Sequence, residues 1–127
     1  MNPEKIEKIN KISKINYDDF AKVEIRAGKI LSAEKIADTD KLLKLSVDVG
    51  EIDPSGKPTP RQIISGIALH FPDPTVLVGR TCMFVTNLEP RTIRGYVSDG
   101  MLFAISTEGV FSLLEPVPGI PPGTKAR

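Results

Sequence analysis

The stretch VEIRAGKILSAEKIADTDKLLKLSVDV, residues 23–49, contains two regions in which apolar and polar residues alternate. The first covers residues 23–30 and is interrupted by Gly28, after which the apolar phase resumes at Ile30. The second covers residues 43–49. A two-residue period is typical of a strand with one buried face, and a strand bent or bulged at a glycine suits a small closed barrel. The stretch therefore predicts two strands of an all-β domain.

Shorter strands follow, each bounded by turn residues. The residue pattern predicts them over residues 61–67, 81–87, 99–106 and 110–114. Helical patterns do not alternate with these strands, which favours an all-β barrel or sandwich. The tail from Glu115 holds four prolines and two glycines and is expected to run extended over the surface. We expect a five-stranded barrel of the oligonucleotide-binding (OB) type, with a short N-terminal helix and a C-terminal extension.

The N-terminal segment repeats a three-residue unit, EKI-EKI-NKI-SKI, over residues 4–15. Asn2 suits the N-cap position, so the pattern predicts a helix with an isoleucine stripe beside a lysine stripe. The lysines fit either a solvated face or a surface that contacts RNA. We expect residues 1–16 to form a helical lead or linker, and residues 17–127 to form the barrel domain with its extension.

Length and composition exclude several classes of protein. The chain has 127 residues and a mass of 13.8 kDa, with 40% hydrophobic and 26% charged residues, as expected of one globular domain. Its apolar runs are far shorter than the roughly 20 residues of a membrane-spanning helix, and lysines occupy the place of a secretion signal's apolar core. The single Cys82 cannot form an internal disulfide bond, so we expect a cytoplasmic protein with no membrane association.

Charge and motif content argue against an enzyme. The net charge is +1, so a polyanionic partner has to be held by a local basic patch. The single histidine, His70, lies in a loop-like HFPDP run, and the common nucleophile, phosphate-loop, dinucleotide and zinc-protease motifs do not occur. We therefore expect no catalytic residues, no metal site and no cofactor.

The most informative segment for function is NLEPRTIRGYVSDGM, residues 87–101. Guanidinium groups match phosphate oxygens, an aromatic ring can stack on a base, and an asparagine amide can pair with a base edge or a 2′-hydroxyl. Together at a barrel rim, such groups would hold a nucleic-acid strand. An ordinary charged loop explains the same residues equally well. The candidate residues from this chemistry are Asn87, Arg91, Arg94, Tyr96 and Ser98.

Four runs resemble a known family when taken in order. They are DFAKVEIRAGKILSAEKIADTDKLLKLSVDVGE at 19–51, RQIISGIA at 61–68, LVGR at 77–80 and NLEPRTIRGYVSDGMLFA at 87–104. Together they resemble the tRNA-binding domain of methionyl-tRNA synthetases and of free-standing bacterial tRNA-binding proteins. The resemblance covers about residues 18–127. It implies an OB barrel that binds tRNA by its shape, raises a synthetase's affinity for tRNA, and forms a homodimer.

The resemblance also implies an RNA-binding surface. Carried over position by position, its residues are Lys41, Lys44, Arg61, Ser65, Asn87, Arg91, Arg94, Ser98 and Met101. Tyr96 stands where the family usually has a small aliphatic residue and would add base stacking, whereas Glu89 places an acid beside the surface. The expected function is non-catalytic tRNA binding that assists aminoacylation, as part of methionyl-tRNA synthetase or in trans to its catalytic part. The alternative is a peptide-binding module resembling the family's secretion chaperones, which would use apolar grooves.

Overall fold

The structure is a computed structural model and describes residues 12–127. It contains one short helix, α1 (Tyr17–Ala21), and nine strands. The strands are β1 (Ile25–Lys35), β2 (Leu43–Asp48), β3 (Arg61–Ser65), β4 (Thr81–Val85), β5 (Arg91–Ile93), β6 (Tyr96–Ser98), β7 (Met101–Leu102), β8 (Ala104–Thr107) and β9 (Val110–Leu113). Single 3-10 turns occur at Ala68–His70 and Pro74–Leu77. In the described part of the chain, no helix is long and apolar enough to cross a membrane.

The main sheet is antiparallel and has the strand order β3-β2-β1-β4-β7. The long strand β1 pairs with β4 through residues 25–29 and with β2 through residues 29–35, so it belongs to both halves of the sheet. Edge strand β3 approaches the chain that leads into the other edge strand, β7. There the Gln62 Nε2 donates to the Val97 carbonyl at 2.9 Å, and the Gln62 main-chain carbonyl accepts from the Asp99 amide at 2.8 Å. These bonds nearly close a five-stranded barrel, which confirms the expected OB-like, all-β fold.

The bend in β1 lies at a different position from the one predicted. The pairing register shifts between Ile30 and Ser32, whereas the sequence pattern placed the bulge at Gly28. Gly28 is required for another reason. A Cβ atom there would lie 2.7 Å from side-chain carbons of both Phe84 and Val47, so glycine allows two core side chains to pack over the strand.

The core lies inside the barrel and consists of the inward-facing residues of β1 to β4 with contributions from the connecting turns. Its largest fully buried side chains are Ile30, Leu43, Leu45, Val47, Ile63, Leu77, Cys82 and Phe84. Cys82 thus acts as a small apolar core residue, as the sequence indicates, and burial raises the pKa of its thiol to about 11.

The C-terminal tail runs along residues 25–27 of β1, which do not pair with β2. The Ala27 amide donates to the Thr124 carbonyl at 2.9 Å, and the Gly123 amide donates to the Ala27 carbonyl at 2.7 Å. Gly50 and Gly123 pack against each other, and a Cβ on Gly123 would lie 3.0 Å from the Gly50 Cα. The tail is therefore an ordered part of the barrel wall.

The N-terminal helix prediction is wrong over residues 12–15, which have no regular secondary structure; its remaining part lies outside the described residues. The short helix α1 begins later, where the Asn16 side chain accepts from the Asp19 amide at 2.8 Å as an N-cap. The segment between the fourth and fifth predicted strands also differs from expectation, since residues 91–98 form the β5–β6 hairpin instead of a plain connection.

Candidate nucleic-acid interface

The β5–β6 hairpin carries the arginines that the sequence singled out. Ile93 pairs with Tyr96, which leaves Arg94 and Gly95 as the two turn residues. Both have positive φ, 53° and 84°, as in the type I′ turns whose twist matches that of a hairpin. Gly95 adopts this conformation freely, whereas Arg94 is a side-chain-bearing residue held in the left-handed region. Arg91 lies at the other end of the hairpin, opposite Ser98.

Buried hydrogen bonds fix the hairpin on the barrel. The Ser98 hydroxyl accepts from the Ile64 amide at 2.9 Å and donates to the Gly100 carbonyl at 3.3 Å, and Ser98 is buried. Gln62, whose bonds were described above, holds the same strand from the exposed side of β3. Ser98 thus holds the hairpin on β3 through a buried hydrogen bond. Gln62 is a residue that the sequence analysis missed, and its only sequence signal is a polar residue at an outward-facing strand position.

Lys44 and Tyr96 meet on the outer surface of the barrel between β2 and β6. The Lys44 Nζ lies 5.3 Å from the centroid of the Tyr96 ring, within cation–π range, and 3.9 Å from a carboxylate oxygen of Glu34. About a third of the Lys44 side chain is exposed, and Tyr96 is partly exposed. The ring is therefore held beside a cation without being buried.

A polar cleft of about 430 Å³ joins the hairpin turn to the β1–β2 connection. Its lining residues are Asp38, Thr39, Asp40, Lys41, Leu42 and Arg94. Lys41 and Arg94, which lie about fifty positions apart in sequence, thus lie on one cleft. Asp38, which also has a positive φ of 63°, and Asp40 bring acidic groups to the same cleft. The cations of the cleft can therefore bind phosphate oxygens, and its carboxylates can accept hydrogen bonds from the amino groups of nucleobases.

Three cations on and beside the hairpin have no partner among residues 12–127. Lys41, Arg91 and Arg94 are exposed, and no described carboxylate lies within 4 Å of their charged groups. We call these three residues together with Lys44 and Tyr96 the hairpin surface. Its unpaired cations are available to a polyanion without first breaking an internal ion pair.

Arg61, which the resemblance assigns to the RNA surface, instead lies in an internal network. Its Nε and Nη2 donate to the two carboxylate oxygens of Glu51 at 2.6 and 3.0 Å, and Nη1 donates to the carbonyls of Thr86 and Asp99. Only 17% of its side chain is exposed. The hydrogen bond from Arg61 holds the pKa of Glu51 below its usual value, and the same bond raises the pKa of Arg61.

Asn87 is also engaged within the protein. Its Oδ1 accepts from the Glu24 amide at 2.8 Å, and its Nδ2 donates to the Lys22 carbonyl. The side chain therefore ties the end of β4 to the chain that enters β1. Ser65 is half-buried at the end of β3, and Met101 is 45% exposed on β7, beside Val85. The structure thus does not bring these three residues into the hairpin surface.

The surroundings of His70 and the placement of the carboxylates bear on the candidate metal ligands. Among residues 12–127 there is no group of three or more histidine, cysteine or carboxylate side chains able to hold a metal ion. His70 stacks on Phe111 with ring centroids 4.0 Å apart and an angle of 9° between the rings, and Phe71 meets Phe111 edge-on. The histidine therefore joins the turn after β3 to the β8–β9 hairpin.

Comparisons with known proteins agree with this architecture. Residues 25–125 match the family model of the tRNA binding domain, tRNA_bind. The methionine–tRNA ligase of Chlorobium phaeovibrioides is 45% identical over 103 residues, which are 80% of this chain and 14% of the ligase. The chain therefore spans about a seventh of that relative's length.

Solved structures give the same result. The crystal structure of a MetRS related protein from Pyrococcus horikoshii aligns with a TM-score of 0.80 and 34% identity, covering 91% of this chain and all of that one. The CsaA chaperone protein from Picrophilus torridus aligns with a TM-score of 0.75 and 25% identity over 90% of this chain and all of its own. A family match over most of the barrel, with its motifs on the strands described above, leads to one conclusion: the chain belongs to the tRNA-binding domain family that also occurs within methionine–tRNA ligases.

Proposed function

We propose that this domain binds folded tRNA through the hairpin surface and thereby assists aminoacylation, as part of methionyl-tRNA synthetase or in trans to its catalytic part. The observation that carries the proposal is that Lys41, Arg91 and Arg94 are exposed on the β5–β6 hairpin and its neighbouring cleft, and have no ion-pair partner among residues 12–127. With a net charge of only +1, the protein's overall field cannot supply this attraction. Binding then depends on a local surface whose shape fits folded RNA.

In the proposed mechanism, the domain binds and positions tRNA and catalyses no reaction itself. Arg91 and Arg94 contact backbone phosphates through their guanidinium groups, and Lys41 adds a third cation across the cleft. Ser98 and Gln62 hold the hairpin in place, so little backbone ordering opposes binding. The domain then raises the local concentration of tRNA near a synthetase's catalytic part, whether the two are covalently linked or associated.

We further propose that the domain acts in the cytoplasm as a homodimer. Support comes from an apolar groove of about 290 Å³ between α1 and the C-terminus, lined by Tyr17, Phe20, Val23 and Ile25 among others. Tyr17 is 78% exposed and Phe20 is 52% exposed, an unusual state for aromatic side chains in a monomer. Light scattering tests the homodimer, and Phe20→Glu is expected to shift the dimer toward monomer. A wild-type protein that is monomeric would contradict the proposal.

A titration of the protein with folded tRNA and with an unstructured RNA of equal length, at ~50 and ~200 mM salt, tests the function. Tighter binding to folded tRNA that weakens with salt is expected. Arg91→Ala and Arg94→Asn should each lower the salt slope by about one unit. Asparagine is chosen at position 94 because it tolerates the positive φ there. Unchanged slopes in both variants would falsify the assignment of the hairpin surface.

A second candidate function is peptide binding, favoured by the same apolar groove together with the similarity to CsaA, which is described as a chaperone. A denatured client protein would then bind at Phe20 and its neighbours, and tRNA would not displace it. Client binding that Phe20→Glu abolishes and tRNA leaves untouched would favour this function. Displacement of the client by tRNA would count against it.

A further inference from the structure

The surroundings of Tyr96 differ from those of the exposed aromatic residues elsewhere in the described chain. Its strand is fixed to β3 through the bonds of Gln62 and Ser98, and its ring lies 5.3 Å from the Lys44 ammonium. By contrast, Tyr17 projects from a five-residue helix and is 78% exposed. A partly exposed ring on a rigid strand with a cation beside it loses little freedom when another planar group stacks on it.

We propose that Tyr96 is a stacking platform for one unpaired nucleobase, with Lys44 as its positioning residue. The proposal rests on the proposed function and specifies which part of the RNA this site takes. Lys44 lies over the ring and restrains it, and the exposed part of the ring is left for a base. About a third of the Lys44 side chain is exposed, and its ammonium lies 3.9 Å from Glu34 and 5.3 Å from the ring centroid, where it can also attract the phosphate of the stacked nucleotide.

The site favours an unpaired nucleotide over a continuous duplex. Bases inside an A-form helix are already stacked on their neighbours, and the helix offers a protein mainly phosphates and 2′-hydroxyls. An aromatic ring on the barrel surface therefore gains a partner only where the RNA exposes a base at a bulge, loop or corner. Arg94, two residues from Tyr96 at the hairpin turn, is placed to hold the backbone that flanks such a nucleotide.

Stacking and phosphate contact respond differently to salt, which allows the two to be separated. Counterion release makes the Arg94 contribution fall with salt, whereas the Tyr96 contribution should be almost independent of salt. Tyr96→Leu is expected to weaken tRNA binding about tenfold at both low and high salt. Tyr96→Phe keeps the ring and should bind as the wild type does. Val76→Ala is the control, because it removes an exposed apolar side chain that belongs neither to the hairpin surface nor to the apolar groove beside α1.

The experiment compares two synthetic RNA hairpins with the same stem, each closed by a non-nucleotide linker so that the loop contains no base; one stem is fully paired and the other carries a single bulged 2-aminopurine nucleotide. The wild-type protein is expected to prefer the bulged hairpin about tenfold and to lower the fluorescence of 2-aminopurine, which falls on stacking. Tyr96→Leu should lose both effects, and Lys44→Met should reduce the fluorescence change while retaining the ring. Thermal melts show that each variant is folded.

Two results separate this inference from the proposed function. If the wild-type protein binds tRNA in a manner sensitive to Arg91 and Arg94, but Tyr96→Leu binds as tightly and the two hairpins are not distinguished, the stacking platform is refuted and tRNA binding stands. If the wild-type protein binds neither tRNA nor the bulged hairpin, both proposals fall.

Discussion

Arginine side chains occur in two different surroundings in this barrel. Arg91 and Arg94 are exposed on the hairpin surface, whereas Arg26 and Arg61 have carboxylate partners beside the C-terminal tail. Arg26 donates to Glu24 and to the Gly123 carbonyl, both at 2.9 Å, and Arg61 is bound by Glu51. Arg26 and Arg61 form a group with Glu24 and Glu51, which we call the paired cluster. This cluster lines a cavity of about 360 Å³ under the C-terminal tail.

The comparison teaches that residue type alone does not identify a nucleic-acid contact. A guanidinium that already has carboxylate partners must lose them before it can bind a phosphate, so its net gain is small. An exposed guanidinium without a partner exchanges only water and counterions. The hairpin surface is thus suited to binding, and the paired cluster to holding the barrel and its tail together.

The largest expected effect comes from reversing charge on the hairpin surface. The double variant Arg91→Glu/Arg94→Glu should bind tRNA about 100-fold more weakly at ~100 mM salt, because two phosphate contacts become repulsive. Its melting temperature should be nearly unchanged, since neither side chain has an ion-pair partner in the described part of the chain. Binding is measured by fluorescence titration.

The matched control for this charge reversal is Lys29→Glu/Lys57→Glu. Both lysines are exposed and make no described ion pair, and the double variant changes net charge by the same amount. It should weaken binding only slightly. Equal losses in the two double variants would show that overall charge, and not the hairpin surface, governs binding.

The second prediction concerns stability. Arg61→Met should lower the free energy of unfolding by about 2 kcal/mol, because Glu51 and the Thr86 carbonyl lose their charged partner. Arg91→Met makes the same chemical change at an exposed, unpaired site and should cost less than about 0.5 kcal/mol. Urea unfolding of both variants measures the contrast. A reversed order would mean that the paired cluster contributes less than its geometry indicates.

The alternation of residues 23–30 and 43–49 was enough to predict strands β1 and β2, because a period of two reports directly which face of a strand is buried. The same signal could not reveal strands β5 and β6. Each has three residues, too few for a period, and the turn between them uses Arg-Gly, which lacks the usual asparagine or aspartate signature. The bulge after Ile30 was missed because glycine is a frequent bulge residue and Gly28 stood nearby.

The sequence could nominate residues for the candidate site, but it could not show which of them have partners inside the protein. Arg91, Arg94 and Tyr96 could be chosen because they lie close together in sequence between two strands. Arg61 and Asn87 looked equivalent to them by residue type, but their partners are distant in sequence: Asn87 Oδ1 meets the Glu24 amide from 63 positions away. Pairing across such distances depends on the closed barrel and has no local sequence signal.

A third prediction tests the tail that covers the paired cluster. Gly123→Ala places a Cβ 3.0 Å from the Gly50 Cα at a φ of +89°, whereas Gly56→Ala has a nearly equal φ of +87° and no atom within 4 Å. The two variants share the strain of positive φ, so their difference isolates the steric contact. Gly123→Ala should be less stable than Gly56→Ala by about 1 kcal/mol. Hydrogen exchange at the Ala27 amide, which donates to Thr124, should quicken only in Gly123→Ala.

The smallest effect is the pH dependence of the paired cluster. The Arg61 hydrogen bond lowers the pKa of Glu51 below 4.5, so the unfolded chain binds this proton more readily than the folded one. The contribution of the pair is therefore fully present above about pH 4.5 and is lost as pH falls through the lowered pKa. Glu51→Gln should be less stable than the wild type at pH 7, and the difference should stay constant down to about pH 4.5 and shrink at lower pH, as measured by urea unfolding. The other carboxylates contribute equally to the unfolding free energy of both proteins, because both proteins contain them. A Glu51 difference that stayed constant from pH 7 to pH 3 would mean that shape, and not charge, joins Glu51 to Arg61.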